Sequence, residues 1–292
     1  MAIVGPTASG KSALALRAAE ALGGEIVSAD SRQVYRGMDI GTAKPTREER
    51  ERVPHHLIDV ADPGERYDVF RYQRDARRVL DEIASRGRAA VVVGGTGLYV
   101  RALLDGLDLA SVPTDPLLRA KLEATAEREG GDALHARLRD LDPEAAARVD
   151  PRNVRRVVRY VEAAMLTGGL TASWRRDAAV PAVKIGLAPP REILIAAIET
   201  RVRRMVDAGV LDETRALLAR GLDPTVPSLS GHGYIHWTQH LAGALTLDEA
   251  IQLTVRDTRR YSRRQMTWFR RDGGIRWIDP TAVDPLPATL SG

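Results

Sequence analysis

Eight residues near the amino terminus, "GPTASGKS" at positions 5 to 12, constrain this chain more than any other stretch. Gly5, four residues, then Gly10, Lys11 and Ser12 is the spacing of a phosphate-binding loop, which requires a strand before it and a helix after it. Both flanks fit: Ala2 to Val4 is apolar, and Ser12 to Leu22 is an Ala- and Leu-rich run that reads as a helix. In that setting the loop amides and the helix N-terminus face an anion, Lys11 adds a point charge, and the Ser12 hydroxyl can ligate Mg²⁺. Gly5, Pro6, Thr7, Ala8, Ser9, Gly10, Lys11 and Ser12 are therefore the candidate phosphate site. Most such loops hold a nucleotide triphosphate, and which phosphate this one holds is the question for the rest of the chain.

The stretch that follows continues the alternation of strand and helix. Ile26 and Val27 precede Asp30, Ser31 and Gln33; "HHLIDV" (55–60) and "AAVVVGGTGLYV" (89–100) are further apolar runs, with an Arg-rich amphipathic helix from about Asp68 to Arg86 between them. Short buried strands alternating with helices predict an α/β fold with a P-loop NTPase-like core, a parallel sheet flanked by helices. Ligands of such sheets bind at the carboxyl ends of the strands. Asp30, Thr96 and the phosphate loop all follow strands and are expected to line one crevice. Asp30 is read as a Mg²⁺ ligand, as a general base, or as a plain turn cap. Thr96, after Gly94 and Gly95, is read as a site residue or as the cap of the helix through Leu98 to Leu104.

From about Pro113 to Trp174 the strand signals stop and the chain becomes charged and helical, broken at Gly130–Gly131, Pro143 and Pro151. The expected organisation is a first part of the core at 1–112, an inserted all-helical subdomain at 113–180, and completion of the core at 181–292 with basic helices near its end. Within the insertion Arg152, Arg155, Arg156 and Arg159 recur at helical spacing, with Val154, Val157, Val158 and Val161 on the other stripe. Near the carboxyl end Arg256, Arg259, Arg260, Arg263 and Arg264 repeat the device, followed by Trp268, Phe269, Arg270 and Arg271. Few acids interleave, so two cationic faces are expected to bind a polyanionic macromolecule.

Composition closes off several classes. With 292 residues, 44% of them hydrophobic, the chain can bury a sizeable core; without cysteine it has no disulfide, thiolate metal site or cysteine nucleophile. No run of about 18 apolar residues and no charged-then-apolar leader is present, so a cytoplasmic protein without membrane association is expected. The spacing of His232, His236 and His240 is a weak zinc signal, and packing or substrate contact is the favoured reading.

Taken together, "GPTASGKS", "SADSRQVYRGMDIGTAKP", "PHHLIDV", "VGGTGLYVRALLDGL", "RRVVRYVEA" and "TRRYSRRQMTWFRR" resemble the tRNA dimethylallyltransferase (IPP transferase) family, in family order across nearly the whole length. The resemblance implies transfer of a dimethylallyl group from dimethylallyl diphosphate to the exocyclic N6 of the adenosine 3′-adjacent to the anticodon, with Mg²⁺. The loop then holds a prenyl diphosphate rather than ATP. It implies Asp30 as base, with Lys11 and Thr96 also catalytic, and Ser12 as the metal ligand. Contacts to the tRNA anticodon stem-loop are implied for Asp30, Ser31, Arg32, Gln33, Thr96, Arg119, Arg155, Arg156, Val157, Val158 and Arg159. The carboxyl-terminal stripe adds Arg259, Arg263 and Arg264, and a monomer is expected. Where many members carry a basic or amide residue before "GY" and a Lys or Arg after it, this chain has Ser230 and Ile235. The work of a basic group near the diphosphate would then pass to His232 or an arginine of the last helix, or be lost. The competing classes are a P-loop small-molecule kinase and a non-enzymatic RNA-binding P-loop module.

Overall fold

The computed structural model describes residues 1–106, 114–168, 179–231 and 233–287. The chain divides into two compact units, one of Met1–Leu103 with Pro181–Gly292 and one of Leu104–Val180. The elements run β1 Ala2–Val4, α1 Lys11–Leu22, β2 Glu25–Ser28, α2 Arg47–Arg52, β3 His55–His56, α3 Val69–Ser85, β4 Ala90–Gly94 and α4 Gly97–Leu104. After α5 Pro116–Glu129, α6 Gly131–Leu141, α7 Pro143–Arg148 and α8 Val154–Thr167 come β5 Lys184–Leu187, α9 Arg191–Asp207, α10 Val210–Ala219, α11 Tyr234–Leu241, α12 Leu247–Phe269 and β6 Ile275–Ile278.

The larger unit is built on a parallel sheet ordered β3-β2-β4-β1-β5-β6. Ala2, Ile3 and Val4 of β1 are fully buried, as a strand covered on both faces must be. Helix α1 lays Leu14, Ala15, Ala18 and Ala19 against Ile3, Ile26, Val91 and Ile185. Gly23, in the left-handed conformation at φ 57°, ends that helix and accounts for the turn into β2.

Two strands differ from the sequence reading. "HHLIDV" contributes only His55 and His56 to the sheet, because Leu57 and Asp59 take positive φ (61° and 58°) and turn the chain away from it. There Asp59 is drawn to Lys44, 2.5 Å away, and Arg50, 2.8 Å away. Strand β6 went unforeseen: "IRWI" is four residues long with an exposed arginine second, which suits an edge strand and leaves no clear period.

In the helical unit each turn residue does what its chemistry allows. Asp115 accepts from the amides of Leu117 and Leu118, Asp142 from that of Ala145, and Asn153 from that of Arg156, capping α5, α7 and α8. Leu122, Leu134, Leu138, Val157, Val158 and Val161 form its core. Val157 and Val158 are 0% and 2% exposed, so their side chains are packing groups, and the reading of them as RNA contacts is corrected. Val154 is exposed rather than packed, and Arg152 precedes α8 and pairs with Asp150 at 2.8 Å instead of joining the stripe.

The expectation that acids are too few to neutralise the arginines is also corrected here. Glu162, fully buried on α8, accepts from Arg119 at 2.7 Å and Arg159 at 2.9 Å through one oxygen and from the Asp115 amide at 2.8 Å through the other. Two of the predicted RNA-gripping cations are thus bound to one interior carboxylate. Removing one partner of a buried ion pair strands the others. Glu162→Ala is expected to cost about 3 to 5 kcal/mol, read as a lower denaturation midpoint of the full chain.

Candidate active site

The strand order decides what can meet. β2, β4 and β1 are consecutive neighbours, so the segments leaving their carboxyl ends emerge side by side: Asp30 after β2, Gly95–Thr96 after β4, and the phosphate loop after β1. The backbone joins them directly, the Ala29 amide reaching Val93 O at 2.7 Å and the Thr96 amide reaching Ala29 O at 3.2 Å.

The loop itself is close-fitting. A Cβ on Gly5, whose φ is 146°, would meet the Leu187 carbonyl oxygen of β5 at 2.8 Å, so only glycine passes there. Ala8 takes φ 66° and Gly10 takes φ 89° as the chain curls to start α1. The Ser9 hydroxyl is buried with no hydrogen-bond partner, and the Lys11 ammonium donates to Pro6 O at 3.0 Å. An unsatisfied interior hydroxyl in a loop of this shape is an acceptor-seeking group awaiting an oxygen-rich ligand.

Asp30 does two things. Its Oδ1 accepts from the Arg32 amide at 2.8 Å and the Gln33 amide at 3.4 Å, so the turn-capping reading describes one oxygen. Its charge also reaches both Lys11 and Arg201. The Thr96 hydroxyl accepts from the Ser31 amide at 3.0 Å and donates to the Ser31 hydroxyl at 3.3 Å, so it ties the Asp30 turn to the β4 turn. Ser31 is therefore held beside the crevice. Arg32 and Gln33 are committed inward: Arg32 donates to Ser228 O at 3.1 Å and to Pro227 O, and Gln33 donates to Ala43 O at 3.0 Å.

Arg201 is a site residue that the sequence reading missed. From α9 it donates to the Thr7 hydroxyl at 3.0 Å, which sets a guanidinium against the phosphate loop. The last helix and His232 were the sources of a cation expected there, and α9 was not among them. His232 lies outside the described residues. A signal existed: Ile198 and Val202 are buried on α9, and Arg201 shares their face at i+3 and i−1, a cation on an apolar stripe. His236 binds Asp257 at 2.9 Å and His240 faces Leu245 O at 3.0 Å, and among the described residues no metal-holding cluster of His, Cys, Asp or Glu occurs.

Two residues of α12 close the site from above the loop. Gln265, 5% exposed, accepts from the Thr7 amide at 2.8 Å and donates to Gly95 O at 2.9 Å. Tyr261, one turn earlier, bonds with Thr96 and Gln265, and burial with the nearby Asp30 charge pushes its phenol up to about 12. The outer side of α12 is less cationic than its sequence: Arg259 pairs with Glu199, while Arg256 and Arg260 share Asp257. Arg263 and Arg264 line an exposed basic groove with Arg260, Thr267, Trp268 and Arg271. In the other unit, Arg155 is exposed and Arg156 lies against Tyr160.

Burial, helped by Arg201 and opposed by Asp30, pulls the Lys11 ammonium from the ordinary lysine range to about 8. Burial likewise draws Arg201 below the ordinary arginine range. The sign follows: with Lys11 lowered, its charge is present below about pH 8 and lost above it. Inorganic pyrophosphate should therefore bind the free protein more weakly at pH 9 than at pH 7, by up to about tenfold for one full charge at this separation. Lys11→Ala should bind weakly with a flat profile over that range, as calorimetry would show.

A family model described as IPP transferase matches residues 33–272. The chain is 48% identical over 283 residues to a tRNA dimethylallyltransferase of Thermomicrobium roseum, covering 96% of this chain and 86% of that one. It is 50% identical over 285 residues to a tRNA dimethylallyltransferase of Anaeromyxobacter dehalogenans, covering 95% and 94%. The solved full-length tRNA isopentenylpyrophosphate transferase of Bacillus halodurans aligns with a TM-score of 0.73 at 43% identity, over 99% of this chain and 92% of that one.

Proposed function

Because the chain belongs to the IPP transferase family, we propose that it transfers a dimethylallyl group from dimethylallyl diphosphate to the N6 of the adenosine 3′-adjacent to the anticodon of tRNA. The observation that carries the reading is the meeting of a phosphate loop, two cations and one carboxylate at the ends of three neighbouring strands.

The loop amides, Lys11 and Arg201 bind the diphosphate of the donor. In the transfer the ester C–O bond breaks, the electron pair leaves with the diphosphate, and the adenine nitrogen forms the new N–C bond. Negative charge grows on the leaving oxygen, where the two cations and the loop dipoles stabilise it. The adenine nitrogen must lose a proton, and Asp30 is the carboxylate in reach of the loop's cations to accept it. Thr96 and Tyr261 hold that turn in place. The adenosine enters only unstacked from the anticodon loop, as in other base-modifying enzymes.

The residues suit Mg²⁺ of a particular kind. The described residues offer no carboxylate cage, while Ser12 and the unpartnered Ser9 hydroxyl stand in the phosphate loop. Mg²⁺ favours this arrangement, one or two protein oxygens with the rest from phosphate and water. Ser12 would hold it, and when bound it supplies further charge neutralisation to the diphosphate.

Among the described residues no helix is long and apolar enough to cross a membrane. The partners we propose are tRNA and the prenyl diphosphate, with a cytoplasmic monomer as the working unit. Incubation with unmodified tRNA, Mg²⁺ and labelled dimethylallyl diphosphate, or labelled ATP in parallel, tests the class: label from the prenyl donor enters RNA and none from ATP does. Transfer from ATP alone would favour the kinase reading, and RNA binding without transfer the non-enzymatic one.

Asp30→Asn is expected to keep tRNA affinity and lower the single-turnover rate by about 10² or more, the scale of a lost general base. An unchanged rate would leave Asp30 a turn cap. For RNA, Arg155→Gln should raise the KM for tRNA, flatten the salt dependence of binding by ~0.9 in log–log slope, and spare the KM for the donor. Filter binding at several salt concentrations reads both.

A further inference from the structure

Gln265 sits at a junction that the phosphate-loop motif does not encode. Its carboxamide oxygen takes the Thr7 amide, one of the loop's own N–H groups, at 2.8 Å, and its nitrogen gives to the Gly95 carbonyl at 2.9 Å. One side chain therefore fastens the turn after β1 to the turn after β4. Three features show how closely the fold is cut to it. A Cβ on Gly95 would stand 2.1 Å from the Gln265 amide nitrogen, so residue 95 is glycine where Gln265 passes. Gln265 is buried near the carboxyl end of a helix that carries arginines at 259, 260, 263 and 264 on its other sides. And Thr7 is held twice, by Gln265 at its amide and by Arg201 at its hydroxyl, immediately before Ala8 takes its left-handed φ of 66°. A non-glycine residue keeps that conformation only where its neighbours over-determine it.

We propose that Gln265 is a positioning residue for the donor: it fixes the phosphate loop in its diphosphate-accepting shape from α12. The proposal rests on the reading of the loop as a diphosphate site. Without the clamp, the Thr7 amide and the Gly95 carbonyl lose their partner, and the loop can relax around Ala8, turning its amides away from the common centre that an anion needs. RNA binding draws on other residues and should not feel the change directly.

The test measures binding of inorganic pyrophosphate with Mg²⁺ to the full chain by calorimetry, beside tRNA affinity and steady-state kinetics. Gln265→Met keeps the side chain's length and bulk while removing its hydrogen bonds to Thr7, Gly95 and Tyr261. It should weaken pyrophosphate by about tenfold or more and raise the KM for dimethylallyl diphosphate in parallel, with tRNA affinity within about twofold of the parent. Gly95→Ala, which displaces the same amide, should reproduce this, and the double variant Gly95→Ala with Gln265→Met should lose little beyond either alone. Should Gln265→Met fold poorly, Gly95→Ala gives the same reading through a change outside α12. Unchanged pyrophosphate affinity in either folded variant, equal losses for pyrophosphate and tRNA, or additive losses in the double variant would overturn the proposal. A parent protein that binds pyrophosphate but moves no prenyl group would sink the proposed activity and leave the effect of Gln265 fully readable.

Discussion

Everything at the site depends on β1 pairing in parallel between β4 and β5, with β2 on the far side of β4. Parallel strands present all their carboxyl ends on one edge, so a turn after any strand faces the same way as its neighbours. Here that edge carries the phosphate loop, the Gly95–Thr96 turn and Asp30 in adjacent positions. A backbone hydrogen bond from Thr96 to Ala29 and a side-chain bond from Thr96 to Ser31 convert adjacency into fixed spacing. The chemistry can then be divided between strands: the anion belongs to β1, the carboxylate to β2, and the residue joining them to β4.

The charges of the crevice are unbalanced by design of the fold. Lys11 and Arg201 are both desolvated and Arg201 disfavours the charge on Lys11, while Asp30 is the carboxylate acting on both. Two buried cations against one anion leave an excess of positive charge in a region of reduced dielectric, where it attracts a polyvalent anion more strongly than the same charges would at the surface. The proposed diphosphate would supply what is missing, and Asp30 shares its crevice with both cations.

What could be read in the sequence and what could not divide along a physical line. β1, α1, β2, α3 and β4 were legible because each is delimited by glycine or by a cap and carries a clear period: Asp68 caps α3, and Gly23 stops α1. β3 was overread because apolar content continues through Leu57 to Val60, whereas strand extent was decided by two positive φ values that residue types did not advertise. At the site, the loop and the turns after β2 and β4 were found through their motifs. Arg201 and Gln265 were not, since each lies within a helix, far along the chain, and acquires its role only from the partner it meets, Thr7 in both cases. Glu162 escaped for the same reason. A single acid in a basic helix looks solvated until two arginines are seen to converge on it.

That last point changes how a basic stripe should be read. Spacing reports which arginines share a face, but the charge offered to a partner is what remains after internal pairing. On α12 Glu199 takes Arg259 and Asp257 takes Arg256 and Arg260, and Arg256 and the His236 contact hold the Asp257 carboxyl near 2. Deeply acidic, Asp257 remains charged at any physiological pH, so this pairing does not switch off. On α8 Glu162 does the same for Arg159. These arginines shape the scaffold: Arg259 braces α12 against α9 through Glu199, Arg256 and Arg260 pair within α12 on Asp257, and Arg159 with Arg119 closes the helical unit's core. The stripe cations left to face solvent, Arg155 and Arg156 on one unit and the groove around Arg263 on the other, are fewer than the stripes suggest. A protein with a formal net charge of +4 thus spends much of its arginine on its own fold, and the proposed polyanion recognition would rest on a small exposed remainder whose removal should be felt one phosphate at a time.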